Sequence, residues 1–388
     1  MKVANVIEEG KLGGPQVRMV RVAAALGDQA ETLIVMPRAN SGPFREMCAT
    51  HGVPYRALPL TRITKEWRAA LAYVLFSPWE VMRLARLFRR ERIDLVHASG
   101  GSWQYKAVIA ARLAGIPSVW HLNDTSTPGW VRRLFRLVQP LASGFIFASQ
   151  RSQEYYGELV TPGRPQAVVP STVDTAHFDP ERDLPRDQDV PRGGPVIGAV
   201  ANVNPVKGLE TLIRAAARLR EMGHTPHVVI VGPVFSRQTE YHRRLVALAQ
   251  DLGLDRVHFV GARVDVRPLL ARFDAYVCSS VAESSPVSVW EAMAMARPIV
   301  STDVGDVARH VLDGEAGFVV PVDDDTAMAE RLARLLDDSA LRDRMGRAAR
   351  QAVSAFSPDR VAKATLDFYQ QVLPIRNHEV KHRLDGSR

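Results

Sequence analysis

The chain has 388 residues, 46% of them hydrophobic and 24% charged, and a net charge of +8. That length suits two domains rather than one core, and the composition is that of a globular protein, which sets disordered and fibrous classes aside. The longest apolar stretches, such as 71–76, fall well short of the ~20 residues that cross a bilayer. Cys48 and Cys278 are too few and too far apart for a disulfide framework, and the N-terminus lacks the basic start and apolar core of a signal peptide, so a reducing, cytoplasmic setting is expected.

Residues 3–7 read as a strand, 16–26 as a helix with apolar positions at Val17, Val20 and Ala24, and 31–36 as a second strand. A helix over 78–90, a strand over 94–98, a helix over 105–114 that stops at Gly115, and strands over 118–122, 144–148 and 167–169 follow. A polar, proline-bearing segment over 180–194 reads as a linker. The same grammar then restarts, with strands over 196–200, 227–231, 257–260, 275–279 and 298–301. Helices over 209–221, 241–252, 287–295, 326–335 and 341–356 alternate with them or follow them. The expected fold is therefore α/β, with two doubly wound, Rossmann-like domains facing across a cleft. The domains are set at 1–175 and 195–357, with 176–194 between them and a last helix, about 358–388, free to pack back on the first.

Charge is uneven along the chain. Residues 1–165 hold 22 basic and 12 acidic side chains, and the remainder 28 and 30. A basic first half fits an anionic substrate or membrane surface, or simply a solvated arginine-rich face. Arg132, Arg133 and Arg136 alternate with Trp130, Val131, Leu134 and Phe135, and Arg83, Arg86, Arg89 and Arg90 crowd another helix. Such faces suit peripheral contact with anionic lipid as well as ordinary core packing.

Glu283 and Glu291, eight positions apart, carry the densest chemistry. The first follows a strand and the second lies one turn inside the next helix. The helix start at Pro286, Val287 and Ser288 offers free amides and a positive dipole end to a phosphate. Ser284, Ser285 and Ser288 add hydroxyls, Glu291 suits a ribose diol, and Glu283 suits sugar hydroxyls. Upstream, Asn202, Lys207 and Gly208 follow the first strand of the second domain, where a lysine can neutralise a diphosphate.

These segments resemble the donor half of the retaining glycosyltransferases of family 4, which have the GT-B fold. The matching runs are 202–208, 229–232, 257–261, the Glu-x7-Glu run, 292–305 and 314–321, in family order. The resemblance implies a nucleotide–diphosphate sugar donor and no separate cofactor. It places Lys207 on the diphosphate, Glu283 on the sugar, Glu291 on the ribose, and Ala262 with Arg263 at the base. Gly232 closes one of the matched strands. Many members carry an arginine five residues before the lysine; here that residue is Asn202, so Arg237 or Arg263 substitutes, or donor affinity is low. The run 171–174, Ser-Thr-Val-Asp, replaces the usual Asn-Gly-Val-Asp.

The first domain resembles the family more loosely. Gly13 and Gly14 precede a helix and let backbone amides approach the donor. Six residues beyond Pro117, where the family often has a histidine near the reacting carbon, stands Asn123, flanked by His121 and Asp124. Asp323, Asp324 and Asp325 precede a helix and are better caps than metal ligands, so no metal is expected. The expected activity is hexosyl transfer to a glycan, lipid-linked or small-molecule acceptor, in cell-envelope polysaccharide or glycoconjugate synthesis. The acceptor would bear a sugar on an anionic or lipid-linked carrier, bound beside Trp103, Tyr105, Trp120 and Trp130. No nucleic acid partner is expected. A sugar-nucleotide epimerase of the same architecture and a non-catalytic basic membrane-binding module are the alternatives.

Overall fold

The computed structural model describes residues 1–63, 67–185 and 187–373, the side chains of 67–69 excepted. Among them, short aliphatic runs build two parallel sheets. The first contains β1 (Lys2–Val6), β2 (Glu31–Pro37), β3 (Tyr55–Leu58), β4 (Leu95–Ala98), β5 (Ser118–Leu122), β6 (Gly144–Phe147) and β7 (Gln166–Val168), in the order β3-β2-β1-β4-β5-β6-β7. The second contains β8 (Val196–Val200), β9 (His227–Val231), β10 (Val257–Gly261), β11 (Ala275–Cys278), β12 (Ile299–Thr302) and β13 (Gly317–Val320), in the order β10-β9-β8-β11-β12-β13.

Alternation along the strands covers both faces of each sheet. Ala4, Val6, Leu33 and Val35 pack under the helices Trp67–Arg90 and Tyr105–Ala114. Val3, Leu95, Val119 and Ile146 pack on the opposite side against Val361, Leu366, Phe368 and Tyr369 of the helix Pro358–Val372. The last described helix thus returns to the first sheet; residues 374–388 of the expected terminal helix lie outside the described residues.

Three local expectations change. The helix expected to start at Pro78 runs over Trp67–Arg90 with Pro78 inside it. A proline deletes one backbone hydrogen bond, but Tyr73 on one side of it and Val81, Leu84 and Phe88 on the other bury in the same core, which carries the helix through. β3 was not anticipated, because its Tyr-Arg-Ala-Leu sequence at the sheet edge has no buried alternation. The expected linker is also no loose tether. Phe178 and Val190 insert into the second domain's core, and Asp187 and Asp189 both pair with Arg263.

In each sheet the strand order reverses once, between β1 and β4 and between β8 and β11. Loops leaving the strands at such points diverge and open a crevice at the carboxyl ends. The two crevices meet in one cavity.

Candidate active site

The shared cavity has a volume of about 480 Å³ and is lined from both sheets. That is within the ~300–1,000 Å³ typical of small-molecule sites. From the first sheet come Gly13, Gly14 and Arg18 after β1, Ser99 and Gly100 after β4, and His121 and Asn123 at the end of β5. From the second come Asn202 and Lys207 after β8, Gly232 after β9, Arg263 after β10, and Glu283, Ser285, Pro286, Val287, Ser288 and Glu291 after β11.

Two helix starts face each other here. The helix Gly14–Leu26 begins at Gly13 and the helix Val287–Ala294 at Pro286, and neither N-cap supplies a side-chain hydrogen bond. A Cβ on Gly14 would lie 3.6 Å from Val287 Cγ2. Both helices therefore leave first-turn amides without an intrahelical partner and turn their positive dipole ends toward one space. That arrangement fits a group with two or more negative oxygens.

Charged side chains border it. Lys207 Nζ donates to Glu283 Oε1, which also accepts from Ser280 Oγ at 2.9 Å. Burial works against the lysine's charge, but the Glu283 carboxylate outweighs it and holds the lysine pKa above its ordinary value. Glu291 is pushed up to about 7 by burial, with Arg21 opposing the shift from across the cleft at 3.6 Å.

Several expected residues do other work. Gly208 does not line the cavity; its φ of +54 is the left-handed region, and a Cβ there would lie 2.1 Å from the Ser279 carbonyl oxygen, so close packing against the backbone just after β11 demands the glycine. Asp124 also stays outside the lining. Its carboxylate accepts from the Ser102 amide at 3.2 Å, Ser102 Oγ at 3.1 Å and Tyr156 OH at 2.6 Å, so the structure does not bring it to the cavity with His121 and Asn123. Arg263 lines the cavity with its charge met by Asp187 and Asp189, and Arg237 does not line it, so neither is placed as a free second cation for phosphate. The serines are engaged as well: Ser284 Oγ meets Ser149 Oγ at 2.9 Å, Ser285 Oγ accepts from the Ser171 amide at 2.9 Å, and Ser288 Oγ accepts from Tyr276 OH at 2.9 Å. Asp324 caps a helix by accepting from the Ala327 amide, and Asp325 pairs with Arg218.

A smaller cavity of about 180 Å³ shares Gly100 with the main one and is lined by Glu8, Glu9, Arg62, Ile63, Trp103 and Gln104. Behind it Lys106, almost wholly buried, pairs with Glu80 at 2.5 Å and Glu8 at 3.5 Å, and burial pushes Glu8 up to about 7. Of the four aromatic residues expected beside the acceptor, Trp103 lines this cavity and meets Trp130 edge-on at 5.6 Å. Tyr105 and Trp120 are instead buried core residues.

Arg18, Arg21, His97 and Tyr369 carry no mark in the sequence. Tyr369 OH lies 2.5 Å from His97 Nδ1, His97 Nε2 lies 3.3 Å from His121 Nδ1, and Arg18 Nη1 approaches that same Nδ1 at 3.3 Å. These residues come from four separate segments, so no spacing signal marks them.

Comparison with known proteins agrees with this architecture. A family profile described as glycosyl transferases group 1 matches residues 181–352, and one described as glycosyltransferase family 4 matches residues 12–177. The chain is 34% identical to a D-inositol 3-phosphate glycosyltransferase of Salinispora tropica, over 94% of this chain and 82% of that protein. It is 24% identical to the N-acetyl-alpha-D-glucosaminyl L-malate synthase of Bacillus anthracis, over 84% and 88%. The fold is similar to that of HepE of Anabaena, solved with UDP and glucose, with a TM-score of 0.80 at 21% identity over 96% of this chain and 100% of that one.

Proposed function

The chain belongs to the group 1 glycosyltransferases of family 4, and from that membership we propose that it is a retaining, metal-independent enzyme; for the donor we propose a uridine diphosphate sugar, after the UDP with which the similarly folded HepE was solved. It is a glycosyltransferase that takes its sugar from a nucleotide donor; the epimerase and non-catalytic alternatives are not favoured, because the matched profiles and relatives are transferases. The observation that carries the donor assignment is the pair of uncapped helix starts facing one cavity beside Lys207. In this proposal the diphosphate lies beside the two helix starts, in the cavity they border with Lys207, Glu291 takes the ribose and Glu283 the sugar. The proposed mechanism requires no protein nucleophile. The departing diphosphate is stabilised by fixed donors, and its own oxygen accepts the acceptor proton on the face from which it leaves.

The test is a thermal-shift screen of UDP, GDP and ADP with their sugars, since a ligand bound only by the native state raises the apparent Tm. UDP should give the largest shift; no shift with any of them defeats the donor proposal. Product anomer, read by NMR, tests retention. Transfer should survive chelation, and loss restored by magnesium or manganese would overturn metal independence.

For the acceptor we propose a sugar-bearing molecule presented at an anionic membrane surface and entering through the smaller cavity. The support lies in the helix Trp67–Arg90. Its inner face sends Glu80 to Lys106 behind that cavity, while Val74, Leu75, Phe76 and Trp79 on its outer face are 67%, 65%, 53% and 50% exposed. Arg83 stacks over Trp79, and Trp130 and Leu137 are exposed on the helix Gly129–Val138. Among the described residues no helix is long and apolar enough to cross a membrane, so contact would be peripheral. Co-sedimentation with anionic vesicles at low salt is expected; its absence there defeats the membrane proposal and favours a small acceptor free in solution.

A further inference from the structure

Arg18 sits one turn into the helix Gly14–Leu26 and is 3% exposed. Its Nε donates to the Pro170 carbonyl at 3.2 Å and its Nη1 to His121 Nδ1 at 3.3 Å, while Nη2 has no hydrogen-bond partner. Among the described residues no carboxylate lies within ion-pair distance of it. A buried cation without a counter-charge is costly to keep. Burial lowers the Arg18 pKa to about 10, which still leaves it charged at neutral pH. This cation lines the main cavity.

Arg18 also fixes its neighbour. A guanidinium only donates, so His121 Nδ1 must accept and the ring hydrogen sits on Nε2. That Nε2 is buried and has no partner either. His97 Nε2 reaches the same acceptor, which leaves His97 Nδ1 to accept from Tyr369 OH. The chain from Tyr369 thus ends in a buried, unpaired imidazole N–H on a residue that lines the cavity. Beside it the first sheet contributes the buried Arg18 charge and the free amides of a helix start. The matching ligand is a phosphoryl group. On the opposite wall Asn202, an amide, stands where the related enzymes often have an arginine.

We propose that Arg18, with His121 Nε2–H beside it, is the second diphosphate-binding group, supplied across the cleft in place of the arginine that Asn202 replaces. The assignment rests on the donor site proposed above. It makes the diphosphate a bridge between the two domains, with Lys207 on one side and Arg18 on the other. Charge that builds on the leaving diphosphate is then met from both walls.

Calorimetry on the full chain with uridine and UDP, guanosine and GDP, and adenosine and ADP tests it. Arg18→Met should weaken the preferred diphosphate at least tenfold and the matching nucleoside less than twofold. Arg18→Lys, which keeps the charge and guards against a misfolded variant, should recover part of the loss. The ligand-free Tm of Arg18→Met should not fall, because the substitution removes a buried charge. Equal losses for nucleoside and diphosphate, or no loss for either, overturn the assignment. Wild-type protein that binds none of the three diphosphates overturns the donor site itself and this assignment with it, a result distinct from the first.

Discussion

The two walls of the cleft hold their charges in opposite ways. On the second domain every cavity-lining charge is already paired: Lys207 with Glu283, Arg263 with Asp187 and Asp189, and Glu291 with Arg21 from the other wall. On the first domain Arg18 and His121 end in buried atoms with no partner. The first arrangement must exchange a protein partner for a ligand when the donor arrives. The second is set in advance, and its cost is carried by the folded protein whether or not a ligand is bound. Arg21 is the exception that joins them, since it reaches from the first helix to the second wall's glutamate.

The largest expected effect tests the exchanging wall. Lys207→Ala should lower kcat about 10²–10³-fold at saturating donor, the usual cost of removing one fixed charge or donor from a leaving group. A loss below tenfold would mean that the first domain and the helix starts carry the diphosphate alone. In that case the distinction between the walls fails.

Glu291 comes next. Glu291→Ala should weaken nucleotide binding about tenfold, near 1.4 kcal/mol. Unchanged affinity in calorimetry would remove Glu291 from the ribose role. The wild-type affinity should also depend on pH. The glutamate pKa stands at about 7 in the ligand-free protein, raised chiefly by burial. A ribose diol donates to the carboxylate form, so affinity should rise between pH 6 and 8 and flatten in Glu291→Gln. Stability runs the other way. The folded protein holds this proton more tightly than the unfolded chain, whose glutamates titrate near 4.5. Its contribution is therefore greatest below that value and is lost as pH rises through about 7. Glu8 shifts in the same direction, so the difference between wild type and Glu291→Gln is the quantity to compare.

A smaller effect sharpens the idea of exchange. Glu283→Gln keeps the shape of the side chain but releases Lys207 from its carboxylate. UDP affinity should rise a few-fold while transfer falls, because the proposed sugar contact is weakened as phosphate access improves. Lower UDP affinity would show that Glu283 holds Lys207 in position rather than competing for it.

These differences also explain what the sequence disclosed. The second wall is built from short continuous runs, Asn202 to Lys207 and Glu283 to Glu291, in which strand end, loop and helix start follow one another. Such runs keep their spacing and can be read directly. The sheets were legible for the same reason, since every strand the sequence marked is a local apolar run and only the edge strand β3, Tyr-Arg-Ala-Leu, is not. Arg18, His97 and His121 meet because the first helix, β4 and β5 are neighbours in the fold, and Tyr369 joins them because the last helix returns to that sheet. His97 looked like an interior strand residue and Tyr369 like part of an amphipathic helix. Asp124 misled in the opposite sense: it stands beside the expected site residue, but its carboxylate turns to Ser102 and Tyr156.

The smallest expected effect separates building the first wall from operating it. Tyr369→Phe removes only the hydroxyl that donates to His97 Nδ1. A buried acceptor left unpaired costs about 1–3 kcal/mol, so the Tm should fall by a few degrees. Transfer should change less than threefold. His97 can then move its hydrogen to Nδ1 and lose its contact with His121, but Arg18 still donates to His121 Nδ1 and still holds the hydrogen on Nε2. The returning helix would thus stabilise the wall without setting its chemistry. A tenfold loss of rate with an unchanged Tm would reverse that conclusion: the imidazole orientation, and not the Arg18 contact alone, would depend on the complete chain from the last helix to the cavity.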